Sequence, residues 1–126
     1  MRKISPHLSI YSFPVTAISS ISNRVSGIYI TASLIGTIFF TFSSEKNKNI
    51  IFQKYHSLNE NSKKMLNSIL LYPFGYHFTG GVRHLLWDSF PHLLTNAKVA
   101  SSSRAIFLLS IFPTLLLENK LKDKFK

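Results

Sequence analysis

The 20 residues from Val25 to Ser44 include no charged side chain. As an α-helix such a run is about 30 Å long, which matches the hydrocarbon core of a bilayer. The 126-residue chain has room for one domain. Only 16% of its residues are charged, against roughly 25% in soluble domains. We therefore predict a small all-α integral membrane protein.

The hydropathy pattern predicts three transmembrane helices in one membrane-anchor domain. The third is short, because only 13 residues between Arg104 and Glu118 are uncharged. Pro6 and Pro14 predict an irregular N-terminal arm at the membrane surface. The predicted segments are an arm at 1–17, spans at about 18–44, 65–88 and 96–122, a connecting loop at 45–64 with room for a short helix near 50–58, a loop after residue 88, and a basic tail at 123–126.

The chain is basic, with a formal net charge of +10, and it contains no cysteine. Its cations flank the apolar runs and do not form a stripe with interleaved aromatic residues, so lipid headgroups and partner subunits are the expected counter-charges, and nucleic acid is not. The absence of cysteine excludes disulfides and thiolate ligation within this chain.

One end of the second predicted span is unusually polar. His77, Gly80, Gly81 and His84 fall at i, i+3, i+4 and i+7, so on a helix they share one face. The two glycines would leave a flat strip that another helix or a planar cofactor could approach. Polar residues at this depth are functional candidates. The alternative is a helix end with snorkelling charges and a hydrogen-bonded histidine.

A second polar stripe lies near the start of the first span, and its members are Ser20, Asn23, Arg24, Gly27 and Thr31. Antiparallel packing of the first two helices would bring both clusters to one membrane level. A neutral imidazole such as His77 is suited to axial ligation of haem iron, and cations at the membrane edge are suited to haem propionates. A single histidine supplies one axial ligand, so the second would come from another chain.

Two motifs carry a family resemblance. The first is SPHLSIY at 5–11 followed by SISNRVSG at 20–27, and the second is YH at 76–77 continued by GVRHLLWD at 81–88. In these motifs the chain resembles the cytochrome b membrane-anchor subunit of succinate dehydrogenase (respiratory complex II), the larger of its two anchors. Together the motifs cover about a quarter of the sequence.

The resemblance implies a haem b site shared with the smaller anchor subunit. His77 stands where the family has its axial ligand to the haem iron, and Arg24 and His84 stand where side chains meet the propionates. The family usually has a histidine directly before the arginine, whereas this chain has Asn23. An asparagine can form a hydrogen bond but cannot titrate, so a propionate contact by Asn23 is only a weak expectation.

The resemblance also implies a ubiquinone pocket formed with partner subunits. Ser20, Ile21 and Arg24 stand at that pocket, with Ile21 packing against the quinone ring. Trp87 and Asp88 are weaker candidates for its edge. The alternative for these last two residues is interfacial anchoring and helix capping.

The implied protein is a membrane anchor of succinate:ubiquinone oxidoreductase that is not catalytic by itself. Its implied partners are the flavoprotein subunit, the iron–sulfur subunit, the smaller anchor subunit and membrane lipids. We expect it in the mitochondrial inner membrane or a bacterial inner membrane, with the N-terminus and the loop between spans two and three on the matrix or cytoplasmic side. The lysine and arginine count favours the opposite orientation. The alternatives are a haem-free anchor of the same complex, and an unrelated small membrane cytochrome b or transporter subunit.

Overall fold

The computed structural model describes residues 12–124, with side chains as far as Lys120. Within that range all regular structure is helical. The elements are α1 (Val15–Thr41), α2 (Glu45–His56), α3 (Glu60–Ser89), a 3₁₀ turn (Pro91–Leu93), α4 (Asn96–Leu109) and α5 (Ile111–Lys124). The all-α prediction is confirmed. The first of the two family motifs begins at residues 5–11, which lie outside the described residues together with most of the predicted N-terminal arm.

Helix α1 and the α4–α5 pair pack against α3, and together the helices form an antiparallel bundle. The start of α1 lies beside the later part of α3, and the start of α4 lies beside the end of α3, as shown by the contacts of Tyr76 with Ser19 and of Arg83 with Ser103. Helix α2 links the other ends of α1 and α3. The polar start of α1 and the polar end of α3 therefore meet, as predicted.

The bundle has a polar interior and an apolar exterior. The buried side chains are mostly small hydroxyl residues, and the large hydrophobic side chains that are buried among the described residues are Tyr76 and Ile106. The exposed surface carries many isoleucine, leucine and phenylalanine side chains. Close packing through small residues with aliphatic side chains facing outward is typical of helices in lipid, so this distribution supports a membrane protein.

Two segments in the described range are long and apolar enough to cross a bilayer, Val15–Thr41 and Asn96–Lys120. The second of these is the segment that the sequence predicted as the weakest span. Helix α3 has 30 residues but is not one of these two segments. The predicted count of three spans is therefore not confirmed and stays a prediction.

Several helix ends differ from the predicted boundaries. Helix α1 begins at Val15, directly after Pro14, so residues 15–17 are not part of an irregular arm. Helix α3 begins five residues before the predicted span, where the side chain of Asn59 accepts a hydrogen bond of 2.7 Å from the backbone N–H of Ser62. The predicted 45–64 loop consists largely of α2, which is 12 residues long.

Two prolines affect the helices differently. Pro73 lies within α3, which continues through it. Pro113 lies one turn after the break at Ser110 that separates α4 from α5. Pro113 has no N–H to donate to the preceding turn. Hydroxyl groups beside the break donate to carbonyls one turn earlier, Ser110 to Ile106 and Thr114 to Ser110 at 2.8 Å. The third predicted span is thus two helical pieces.

Candidate functional site

The candidate site is built on the contact between α1 and α3. The hydroxyl of Tyr76 donates to Ser19, 3.2 Å from both its carbonyl oxygen and its Oγ. Tyr76 is 2% exposed and Ser19 is fully buried. This buried contact fixes the rotation of α3 against α1, and it therefore decides which side the next residue, His77, presents.

The His77 ring packs against the backbone of α1. Its Nδ1 lies 3.0 Å from the carbonyl oxygen of Asn23 and 3.3 Å from the hydroxyl oxygen of Ser26. The Ser26 hydroxyl donates to the same Asn23 carbonyl at 2.7 Å. A carbonyl oxygen only accepts hydrogen bonds, so the geometry places the imidazole proton on Nδ1.

In this tautomer Nε2 of His77 is the unprotonated nitrogen. Ligating histidines usually donate their other N–H to a backbone carbonyl or a carboxylate, which fixes the tautomer. The residue is exposed in the single chain. No group of three or more histidine, cysteine, aspartate or glutamate side chains gathers as a metal site in residues 12–124. The hydrogen bonds of His77 within the described residues are therefore made through Nδ1 alone.

The predicted glycine strip on α3 has two different halves. Gly80 is buried, and a Cβ there would lie 2.9 Å from Cγ of Asn23 and overlap its Oδ1. Gly81 is exposed, and a Cβ there would meet nothing within 4 Å. Gly80 therefore allows the close approach of α1, while Gly81 alone leaves open space beside His77.

The side chain of Asn23 does not face the open side. Its Oδ1 is buried against Gly80 with no hydrogen-bond partner among the described residues. The weak expectation that this side chain meets a propionate stays a prediction, and the inward position of Oδ1 does not favour it. Its backbone carbonyl, by contrast, holds His77.

The three predicted quinone residues lie on the outer side of α1. Ser20 is half-buried, Ile21 is 47% exposed and Arg24 is exposed. At about 100° per residue they occupy one sector of the helix, next to the sector that holds His77. They are brought together on one surface that is open in the single chain.

Arg83 and His84, which are neighbours in the second motif, have different surroundings near the end of α3. Arg83 is 7% exposed and turns towards α4, where its Nη1 donates to Ser103 Oγ at 3.0 Å. His84 remains exposed and meets the edge of Trp87, with ring centroids 5.3 Å apart. Arg83 and His84 therefore do not share one surface, because successive helix positions point about 100° apart.

Trp87 and Asp88 also differ in their exposure to solvent. Trp87 is half-buried beneath the Arg83 guanidinium, which lies 4.4 Å from the indole centroid. This is a cation–π contact that holds the end of α3. Asp88 is exposed and is the last residue but one of α3. Trp87 therefore has a packing role in this chain, and Asp88 stays available to a partner.

Two surface cavities lie elsewhere. An apolar groove of about 420 Å³ runs between α3 and α5 past Phe74 and Pro113, and a cavity of about 460 Å³ lies between the starts of α1 and α4 near Arg104. Neither is lined by His77, Arg24 or His84. The candidate site is a helix face and not an enclosed pocket.

Sequence reasoning missed Ser19 and Ser26 as contact residues. Ser19, Asn23 and Ser26 fall at i, i+4 and i+7, which is the spacing of one helix face. That stripe was visible in the sequence, one position away from the stripe that includes Ser20 and Arg24. Hydroxyl spacing alone does not show which of two adjacent stripes faces α3.

Comparison with known proteins adds an independent result. Residues 1–117 match the family model described as succinate dehydrogenase/fumarate reductase transmembrane subunit. The chain is 34% identical over 121 residues to the succinate dehydrogenase cytochrome b560 subunit of Marchantia polymorpha, covering 91% of this chain and 87% of the relative. It is 30% identical over 131 residues to the corresponding subunit of Porphyra purpurea, covering 91% and 96%.

A relative of greater length is the mitochondrial succinate dehydrogenase cytochrome b560 subunit of Dictyostelium discoideum. The identity is 30% over 102 residues, and the match spans 81% of this chain but only 53% of that protein. The motifs, the helical bundle with its apolar surface and the match over 1–117 agree. The chain belongs to the succinate dehydrogenase/fumarate reductase transmembrane subunit family.

Proposed function

We propose that this chain is the larger membrane anchor of a succinate:ubiquinone oxidoreductase, where it contributes one axial ligand of haem b and part of the ubiquinone-reduction site. The observation that carries the proposal is the placement of His77, whose Nδ1 lies 3.0 Å from the Asn23 carbonyl while Nε2 is left for a ligand. Family membership removes the alternative of an unrelated small cytochrome or transporter subunit.

The residues present fit a haem that is shared with a second chain. His77 Nε2 would ligate the iron, and the exposed cations Arg24 and His84 would meet the propionates. Gly81 leaves open space on the same face of α3. Haem b supplies a one-electron redox centre when bound. The Asn23 side chain is not part of this proposal, because it is buried against Gly80.

The proposed ubiquinone contacts are Ser20, Ile21 and Arg24. The Ser20 hydroxyl and the Arg24 guanidinium would donate hydrogen bonds to a quinone carbonyl and stabilise the negative charge that develops on its oxygen during reduction. Ile21 offers an apolar contact for the ring. Because these side chains lie on an open helix surface, the remaining walls would come from partner subunits.

The proposed partners follow from this incompleteness. The smaller anchor would supply the second axial histidine, and the iron–sulfur subunit would cover the open face that includes Ser20 and Arg24. The flavoprotein subunit, where succinate is oxidised, would dock through the iron–sulfur subunit. Asp88, exposed near the end of α3, remains a weak candidate for the edge of the quinone site, and Trp87 is weaker still because it packs under Arg83.

We place the chain in the mitochondrial inner membrane with three spans, α3 being the second. The starts of α1 and α4 and the end of α3 would face the matrix. Support comes from the common level of the polar groups at that end of the bundle, and from relatives such as the Dictyostelium discoideum protein that are named mitochondrial. Electrons must arrive at the end that holds the quinone contacts.

The quinone assignment is tested with Ser20→Ala and Arg24→Ala in the assembled complex. Each variant should reduce ubiquinone reductase activity at least about tenfold, the loss typical when a group that stabilises developing charge is removed. Succinate oxidation with an artificial acceptor should stay unchanged, because that reaction occurs in other subunits. Ser33→Ala, a serine of α1 on the deeper part of the helix, is the matched control.

A haem-free anchor is the competing function, and it has one observation in its favour. The hydrogen bonds of His77 to α1 would also satisfy a purely structural histidine. The reduced-minus-oxidised spectrum of the purified complex separates the two. A b-type signal that depends on His77 supports the cytochrome, and a complex that contains flavin and iron–sulfur centres without such a signal supports the haem-free anchor.

A further inference from the structure

The proposed axial ligand is held by a small group of α1 residues that have no part in the quinone contacts. Ser26 is 5% exposed and its hydroxyl donates to the Asn23 carbonyl at 2.7 Å. With its proton used there, Ser26 Oγ offers a lone pair towards His77 Nδ1, 3.3 Å away. The imidazole N–H therefore lies between two acceptors on the same turn of α1.

The next residue, Gly27, sets how closely the His77 ring approaches α1. A Cβ at Gly27 would lie 3.0 Å from Cε1 of His77, 3.5 Å from Nδ1 and 3.7 Å from Nε2. Any side chain at this position would push the ring away from α1. The absence of one lets the edge of the imidazole lie directly against the helix backbone.

We infer that Ser26 and Gly27 are positioning residues that set the tautomer and the ring orientation of His77. This inference rests on the proposed haem function. Ser26 fixes the proton on Nδ1, and Gly27 sets how far Nε2 projects from α1. Both act through His77 and neither would touch the iron. Partners of this kind are typically worth about 10- to 100-fold in metal affinity.

The test uses the assembled complex and measures the haem, with each variant normalised to the flavin of the partner subunit. We expect Ser26→Ala to shift the low-field EPR signal of the ferric haem, because that signal depends on how the axial imidazole planes are turned. We also expect a loss of about tenfold or more in haem affinity. Ser26→Thr keeps the hydroxyl and should restore both.

Two glycine variants test the steric half of the inference. Gly27→Ala should shift the same EPR signal and lower haem content, because the added methyl presses on Cε1. Gly36→Ala is the matched control in the same helix, since a Cβ there meets nothing within 4 Å. Ser33→Ala is the control for Ser26, because the Ser33 hydroxyl donates to Tyr29 within its own helix at 2.8 Å.

The outcomes separate the inference from the proposed function. A wild-type EPR signal and haem content in both Ser26→Ala and Gly27→Ala would overturn the inference, as would equal changes in the Ser33→Ala and Gly36→Ala controls. A b-type haem that persists in His77→Ala would overturn the proposed ligand itself. Loss of haem in His77→Ala with no effect of Ser26→Ala or Gly27→Ala would leave the function standing and reject the positioning role.

Discussion

The imidazole Nδ1 of His77 lies 3.0 Å from the backbone carbonyl oxygen of Asn23. This bond joins the side chain of one helix to the main chain of another, so it does not depend on which side chain stands at position 23. The usual family residue there is a histidine, and the chain has an asparagine. The bond keeps His77, the proposed axial ligand, in place while Oδ1 of Asn23 lies against Gly80.

Gly80 and Gly81 should respond in opposite ways to substitution by alanine. A Cβ at Gly80 would overlap the Asn23 amide, whereas a Cβ at Gly81 meets open space in this chain. Overpacking of this kind typically costs about 1–3 kcal/mol. We expect Gly80→Ala to lower the midpoint of thermal dissociation of the purified complex.

The double variant Gly80→Ala/Asn23→Ala provides the check on that mechanism. Removing the Asn23 amide frees the space that the new methyl needs, so most of the loss should be recovered. The close approach of α1 and α3 at this point would be contradicted if Gly80→Ala melted like wild type. If Asn23→Ala did not relieve the loss of stability, contact with the Asn23 amide would not be the cause of that loss.

Tyr76 and Ser19 should be energetically coupled. The Tyr76 hydroxyl lies 3.2 Å from Ser19 Oγ, and both residues are buried. Hydrogen bonds between membrane helices average about 0.6 kcal/mol in double-mutant cycles. Tyr76→Phe and Ser19→Ala should each lower thermal stability, and the double variant should lose less than the sum of the two. Strict additivity would mean that the contact with Ser19 Oγ contributes nothing and that Tyr76 bonds to the Ser19 carbonyl alone.

The buried guanidinium of Arg83 gives a third prediction. Its Nη1 donates to Ser103 and its Nε has no partner among the described residues. Ser103→Ala would remove an acceptor from a buried charge, which is more costly than replacing charge and acceptor together. We expect Ser103→Ala to be clearly less stable than wild type, with Arg83→Met/Ser103→Ala recovering much of the difference. A double variant that melts below Ser103→Ala would contradict this account.

The sequence predicted the all-helical membrane class and the meeting of α1 with the end of α3. Charge-free runs of about 20 residues have few other folded outcomes, and two successive helices that both cross a bilayer run antiparallel. His77 at the boundary of the polar cluster was likewise visible from spacing. These features depend on composition and order along the chain.

The rotation of each helix about its axis was not predictable in the same way. Ser19 and Ser20 begin two polar stripes only about 100° apart, and the packing of Tyr76 selects the first one. The inward turn of Arg83 has the same origin, because its acceptor Ser103 lies on α4, 20 residues later. Contacts between distant segments decide such rotations, and a single sequence has no local signal for them.

Axial ligation by His77 is tested most directly by the reduced-minus-oxidised spectrum of the purified complex. The spectrum is recorded for wild type, for His77→Ala and for His92→Ala, which is a control outside the bundle. We expect a b-type signal in wild type and in His92→Ala, and we expect it to be lost or converted to a five-coordinate form in His77→Ala. Flavin and iron–sulfur content should be retained in all three. An unchanged b-type signal in His77→Ala would contradict the assignment of His77 as the axial ligand.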